Sequence, residues 1–137
     1  MKHLCKIILF IFSINIHSHE FNPAHLIIDQ SAINENLYDA TWLYPVKNIG
    51  IRGSVIFPEI CDIQRTSPFV EGKYIVEKII LDCNASLKGK SIEIINLSVL
   101  TDALITVNYA NNSTYEGLVN NKEQIIISPD EISYYPT

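Results

Sequence analysis

Apolar and polar residues alternate with a period of two along most of this chain. The clearest stretch sets Tyr38, Ala40, Trp42, Tyr44 and Val46 against Asp39, Thr41 and Leu43. Successive side chains of a strand point to opposite faces, so this stretch predicts a strand with one aromatic face buried. Pro45 has no N–H to give a ladder, and it ends the strand or places it at an edge. A second alternating run sets Ala103, Ile105, Val107 and Tyr109 against Leu104, Thr106 and Asn108. Shorter extended runs fall at 24–28, at 53–57 before Pro58, at 73–83, at 91–97, at 115–119 and at 124–127. Between them, Lys88-Gly89-Lys90 reads as a tight turn and Asn111-Asn112-Ser113 as a hairpin turn. No segment holds a helical period over eleven residues. The expectation is an all-β fold: an antiparallel β-sandwich, immunoglobulin-like, of about 7–8 short strands. Trp42 is its expected core plug, with Tyr38 and Tyr44 on the same face.

The first twenty residues follow another pattern. A basic start, Met1-Lys2-His3-Leu4-Cys5-Lys6, leads into an apolar stretch from Ile7 to Ile16, broken only by Ser13 and Asn15. A charged start, a short apolar run and a small residue describe a secretory signal peptide with cleavage after Ser18. An uncleaved N-terminal anchor is the alternative. The expected organisation is a signal peptide at 1–18, a β-sandwich domain at 19–128 and a C-terminal tail at 129–137. The domain is then exported, periplasmic or extracellular. Nothing after residue 18 is apolar over the roughly 20 residues that a membrane helix needs.

Export changes the reading of charge and cysteine. The whole chain has ten basic and fifteen acidic residues, a net charge of −5. Loss of Lys2 and Lys6 leaves eight basic residues against the same fifteen, a net charge of −7. Phosphate binding needs clustered Lys and Arg, so nucleic acid is excluded as a partner and an anionic lipid surface is disfavoured. Cys61 and Cys83 remain after cleavage, and an even count in an oxidising compartment predicts a disulfide between a loop and a strand end. Two free buried thiols are the alternative.

Candidate chemistry is sparse. All four histidines lie within the first 25 residues, and His3 and His17 leave with the signal. Cleavage would make His19 the N-terminus, where its amine and imidazole together suit Cu(II) or Ni(II). His25 would add a third nitrogen if Asn22-Pro23 turns the chain back, and Glu20 or Asp29 an oxygen. A Ser-His-Asp set needs a histidine held beside a serine, and neither remaining histidine falls in the body of the domain. Carboxylate pairs such as Glu59 with Asp62 do not define a glycosidase by spacing alone. No catalytic residue is assigned.

Several short motifs occur in order: His19-Glu20-Phe21-Asn22-Pro23-Ala24, Tyr38-x-x-x-Trp42-x-x-Pro45, Phe57-Pro58-Glu59-x-Cys61, and Cys83 followed by Leu87-x-Gly89-x-x-Ile92. Asn96-Leu97 and Thr101-Asp102-Ala103-Leu104 continue the series. Together they resemble the N-terminal extracytoplasmic domain of HupE/UreJ-type membrane proteins, the hydrogenase/urease accessory-like group. In that family a bundle of transmembrane helices follows this domain. The resemblance covers the β-domain alone, so no permease activity is carried over. It implies a non-enzymatic interaction or sensing role with a protein or membrane-protein partner. A small periplasmic copper- or nickel-binding protein using His19 and His25 is the alternative expectation.

Overall fold

The structure, a computed structural model, describes residues 23–47, 53–97, 102–120 and 124–128. The leader 1–18, His19 and the tail 129–137 lie outside the described residues. Among those described, ten strands form two sheets: β1 (Ala24–Gln30), β2 (Leu37–Pro45), β3 (Ser54–Ile56), β4 (Cys61–Arg65), β5 (Phe69–Glu71), β6 (Tyr74–Cys83), β7 (Ser91–Ile95), β8 (Ala103–Asn108), β9 (Thr114–Val119) and β10 (Gln124–Ile126). The large sheet has the order β4-β6-β2-β1-β8-β9, with β5 also paired to β6. The small sheet has the order β10-β7-β3. The chain thus forms the all-β sandwich that strand spacing predicts.

Three details differ from that expectation. First, β1 and β8 run parallel, so the large sheet is mixed rather than wholly antiparallel. The strand before β8 belongs to the small sheet, and the chain re-enters the large one beside β1 at the end where β1 begins. Second, β4 and β5 raise the strand number to ten. Only Cys61 is buried in β4 and nothing is in β5, so neither carries an alternation to be read. Third, Cys61 opens a strand rather than sitting in a loop. It lies directly opposite Cys83, Cα to Cα 3.9 Å, and the two form a cross-strand disulfide.

Strands β4 and β5 share one side of β6 with registers that differ by one residue. Thr66, Ser67 and Pro68 therefore oppose only Glu77 and Lys78. The Thr66 hydroxyl and N–H both donate to the Lys78 carbonyl, at 2.9 and 3.1 Å. This bulge bends the edge, and Pro68 offers it no donor, which blunts an otherwise open sheet edge.

The alternation in β2 is realised in full: Tyr38, Ala40, Trp42 and Tyr44 are all buried on the inner face. Facing them are Val55 of β3 and Ile92 and Ile94 of β7, with Leu26, Ile28, Ile79, Leu81, Ile105 and Val107 flanking. Each buried side chain of this size stabilises the fold by about 1.5–3 kcal/mol relative to exposure. Buried polar atoms in this core have partners. The Trp42 indole N–H donates to the Gly53 carbonyl at 3.0 Å, and the Tyr38 hydroxyl accepts from the Leu87 N–H at 3.3 Å. Gly53 leads into β3 and Leu87 precedes β7, so two aromatic residues of one strand tie the large sheet to the small one. A Cβ at Gly53 would stand 3.3 Å from the Tyr44 ring, which is why this approach suits glycine. On the β4 side, Arg65 donates to the Val55 carbonyl at 3.1 Å and stacks 5.9 Å from the Phe57 ring centre.

Candidate functional site

Two surfaces stand out, one at an end of the sandwich and one on its outer face. The first is built by the connections β1–β2, β6–β7 and β8–β9. Strands β1, β6 and β8 all finish at this end, so all three connections gather there. They enclose an open cleft of about 940 Å³, lined by Gln30, Ser31, Ile33, Glu35, Lys88 and Asn111 among others.

Short polar side chains shape these loops. The Ser31 hydroxyl accepts from the N–H groups of Ile33 and Asn34, at 3.1 and 3.3 Å, and the Asn34 side chain accepts from the Asn36 N–H at 3.0 Å. Such side chains mimic a backbone turn, which is why this Ser-Asn segment is not helical. Gln30 joins two loops: its amide donates to the Glu35 carbonyl and accepts from the Ala110 N–H, both at 2.8 Å. In the β8–β9 connection the Asn112 N–H donates to the Tyr109 carbonyl, and Asn112 has a φ of 72°. That is a three-residue hairpin loop closed by a left-handed residue, a position asparagine tolerates. In the third loop the Lys90 N–H donates to the Leu87 carbonyl across Gly89, whose φ of 79° suits the third position of a type II turn. Gly89 also donates to Ile127 at 2.7 Å, so the turn is fastened to the chain after β10.

The cleft is thus a polar concavity whose loops are shaped by hydrogen bonds. The Lys88 ammonium lies 5.1 Å from the centre of the Tyr109 ring. Burial raises the Tyr109 pKa above the ordinary value, and a 2.6 Å hydrogen bond with Ser128 opposes that rise. Ile33 stands at the tip of the β1–β2 loop with 97% of its surface in water. The Cys61–Cys83 disulfide sits just beneath, and the Cys83 N–H donates to the Asn36 carbonyl at 2.9 Å. Sequence reasoning did not find this cleft. Its one signal was Ile33, an apolar residue inside a run of turn-forming ones.

The second surface is the outward face of the large sheet. Register places Leu118, Leu104, His25, Leu43, Val76 and Phe69 side by side across six strands. Leu118 is 59% and Phe69 44% exposed, whereas Val76 between its neighbours is only 3% exposed. The next row toward the loops is Glu116, Thr106, Ile27, Thr41 and Lys78. The row after that includes Asn108, Asp29 and Asp39, with Asn108 donating to the Asp29 carboxylate at 2.7 Å. The signal for this surface was visible as a fault in the pattern: Leu43 and Leu104 occupy the polar phase of their strands.

Of the expected metal ligands, only His25 and Asp29 fall among the described residues; Glu20 does not. His19 lies outside the described residues. His25 is in the middle of the apolar row, half-buried, with Nε2 3.0 Å from the Thr106 hydroxyl. Burial lowers its pKa, and the nearby Glu116 carboxylate opposes that shift. Asp29, weighed as an oxygen ligand with His25, is four residues further along the same strand, about 13 Å away, too far for one ion. Among the described residues no three of His, Cys, Asp and Glu gather to hold a metal. His25 and Thr106 make a base–hydroxyl pair, but they lie on a sheet face and neither lines the cleft. Among the described residues no helix is long and apolar enough to cross a membrane. No family model, curated protein or solved structure matches the chain.

Proposed function

We propose that this protein is an exported, non-enzymatic interaction module whose loop-end cleft receives a segment of a membrane-protein partner. The observation that carries this reading is the cleft itself, a concavity of about 940 Å³ made by three loops, two of them hydrogen-bonded through Gln30 and the third in contact with the Tyr109 ring through Lys88. Loops stiffened in this way lose little conformational entropy on binding, which favours recognition. An isoleucine held almost wholly in water beside Lys88 and Glu35 gives the rim one apolar anchor and both signs of charge. The resemblance to the extracytoplasmic domain of HupE/UreJ-type proteins supports a partner in the membrane, and the basic-then-apolar start supports export.

A photo-crosslinking residue placed at Ile33 tests the reading in the exporting cell. It should form one defined adduct with a membrane protein. The same residue at Val70, exposed on the edge strand β5, should not. Equal labelling from both positions, or none from Ile33, would overturn it.

A further inference from the structure

The outward face of the large sheet is apolar across its middle, and its charges are placed in opposition. Along the second row, Glu116 on β9 and Lys78 on β6 stand at opposite ends, both exposed, with β1 midway between them. A two-fold axis running along β1 exchanges β9 with β6 and β8 with β2. It sets Glu116 of one copy over Lys78 of the other, and does so twice. The same operation lays Leu118 over Val76, Leu104 over Leu43 and Thr106 over Thr41, and it sets His25 and Ile27, both on the axis strand, each over its own copy. An axis running across the strands instead keeps β9 over β9 and β6 over β6, which forgoes both ion pairs. We propose that two copies of this chain associate face to face through the large sheet, about an axis along β1.

The chemistry of the face fits that occupant. Facing sheets pack about 10 Å apart with their strands within about 30° of alignment, which keeps the rows in register near the axis. Leu118, Leu104, Leu43 and Phe69 leave apolar surface in water along one row, interrupted by His25 and by the nearly buried Val76, and an exposed apolar patch of this kind marks a contact surface. In the row nearer the loops, Asp29 meets its own copy under this operation and repels it, while Asp39 faces Asn108. The two sheets therefore close over the first two rows and diverge toward the loops. The five strands that overlap about this axis, β9 to β6, give at about 4.8 Å spacing a stripe about 19 Å wide. Two rows about 7 Å apart, with their margins, cover roughly 350 Å² on each copy, well below the roughly 800 Å² of a standard interface. A contact this small gives a weak dimer that dissociates on dilution. Because the axis runs along the strands, both loop-end clefts point the same way, and the dimer presents two of them to one surface.

Sedimentation equilibrium of the exported chain tests the geometry, with a charge exchange as the discriminating arm. Lys78→Glu and Glu116→Lys should each weaken dimerisation about ten-fold or more, since each single change turns both ion pairs into like-charge contacts. The double variant should return to within about three-fold of the parent, because the pairs are then restored in reverse. Both side chains are exposed, and an unchanged melting temperature at monomer concentrations verifies that the fold is retained. A chain that stays monomeric into the high micromolar range overturns the proposal. So does a dimer indifferent to both single changes, or one that the double change fails to rescue.

Discussion

His25 shows how a single position changes meaning between sequence and structure. Read along the chain it is a metal ligand in waiting near the N-terminus. In the sheet it is one of six side chains in a row, bonded to Thr106 and flanked by Leu43 and Leu104. Burial lowers its pKa below the ordinary 6.5, with Glu116 opposing. The unfolded chain therefore takes up a proton over a pH range in which the folded chain does not. The stability contribution of His25 is complete above about pH 6.5 and is lost as the pH falls from there through the lowered folded value. Thermal melts across that window should show the parent losing more stability than His25→Gln. Parallel profiles would mean that His25 titrates alike in both states. Trp42 behaved in the opposite way: its place in a clean alternation named it as core, and it is 2% exposed.

At the scale of elements, the edge formed by β4, the bulge and β5 is where sequence reasoning lost its grip. These segments bury almost nothing, so hydrophobic period cannot mark them. What holds β4 in place is pairing with β6, the Arg65 bridge to Val55, and the disulfide. Closing a loop of 22 residues stabilises the fold by about 3 kcal/mol in the chain-entropy model. The bond also pins the end of β6 from which the β6–β7 loop departs into the cleft. Replacing Cys61 and Cys83 together by alanine should lower the denaturation free energy by about 2–5 kcal/mol. Hydrogen exchange should rise most in β4 and in residues 84–90. Uniform loss of protection across both sheets would place the disulfide's effect on global stability alone.

For the whole molecule, location decides which chemistry applies. A cross-strand disulfide suits an oxidising compartment, and the acidic net charge suits a protein partner better than nucleic acid. The leader read from residues 1–18 predicts that the exported protein begins at His19. Intact-mass measurement should find that form, whereas Met1 retained in a membrane fraction would indicate an anchor. Under the proposed function, export and the cleft would make this a domain that works by contact. Face-to-face association would present two such clefts in one direction, so that a clustered partner is held by both.

The sequence by itself determined which segments are strands wherever one face is buried, because side-chain direction repeats every two residues and burial needs no knowledge of the neighbour. It also determined the turns at Gly89 and Asn112, where local backbone conformation admits few residue types, and it placed Tyr38, Trp42 and Tyr44 in the core. The tertiary structure alone decided who stands beside whom. Period two says that Leu43, Leu104 and Leu118 break the polar phase of their strands. Only register brings them into one row, with β8 parallel to β1 although almost 80 residues separate the pair in the chain. The cleft has the same origin. Ser31, Lys88 and Asn111 are ordinary loop residues until three strand ends meet, and long-range pairing, which has no local signature, is what makes them meet.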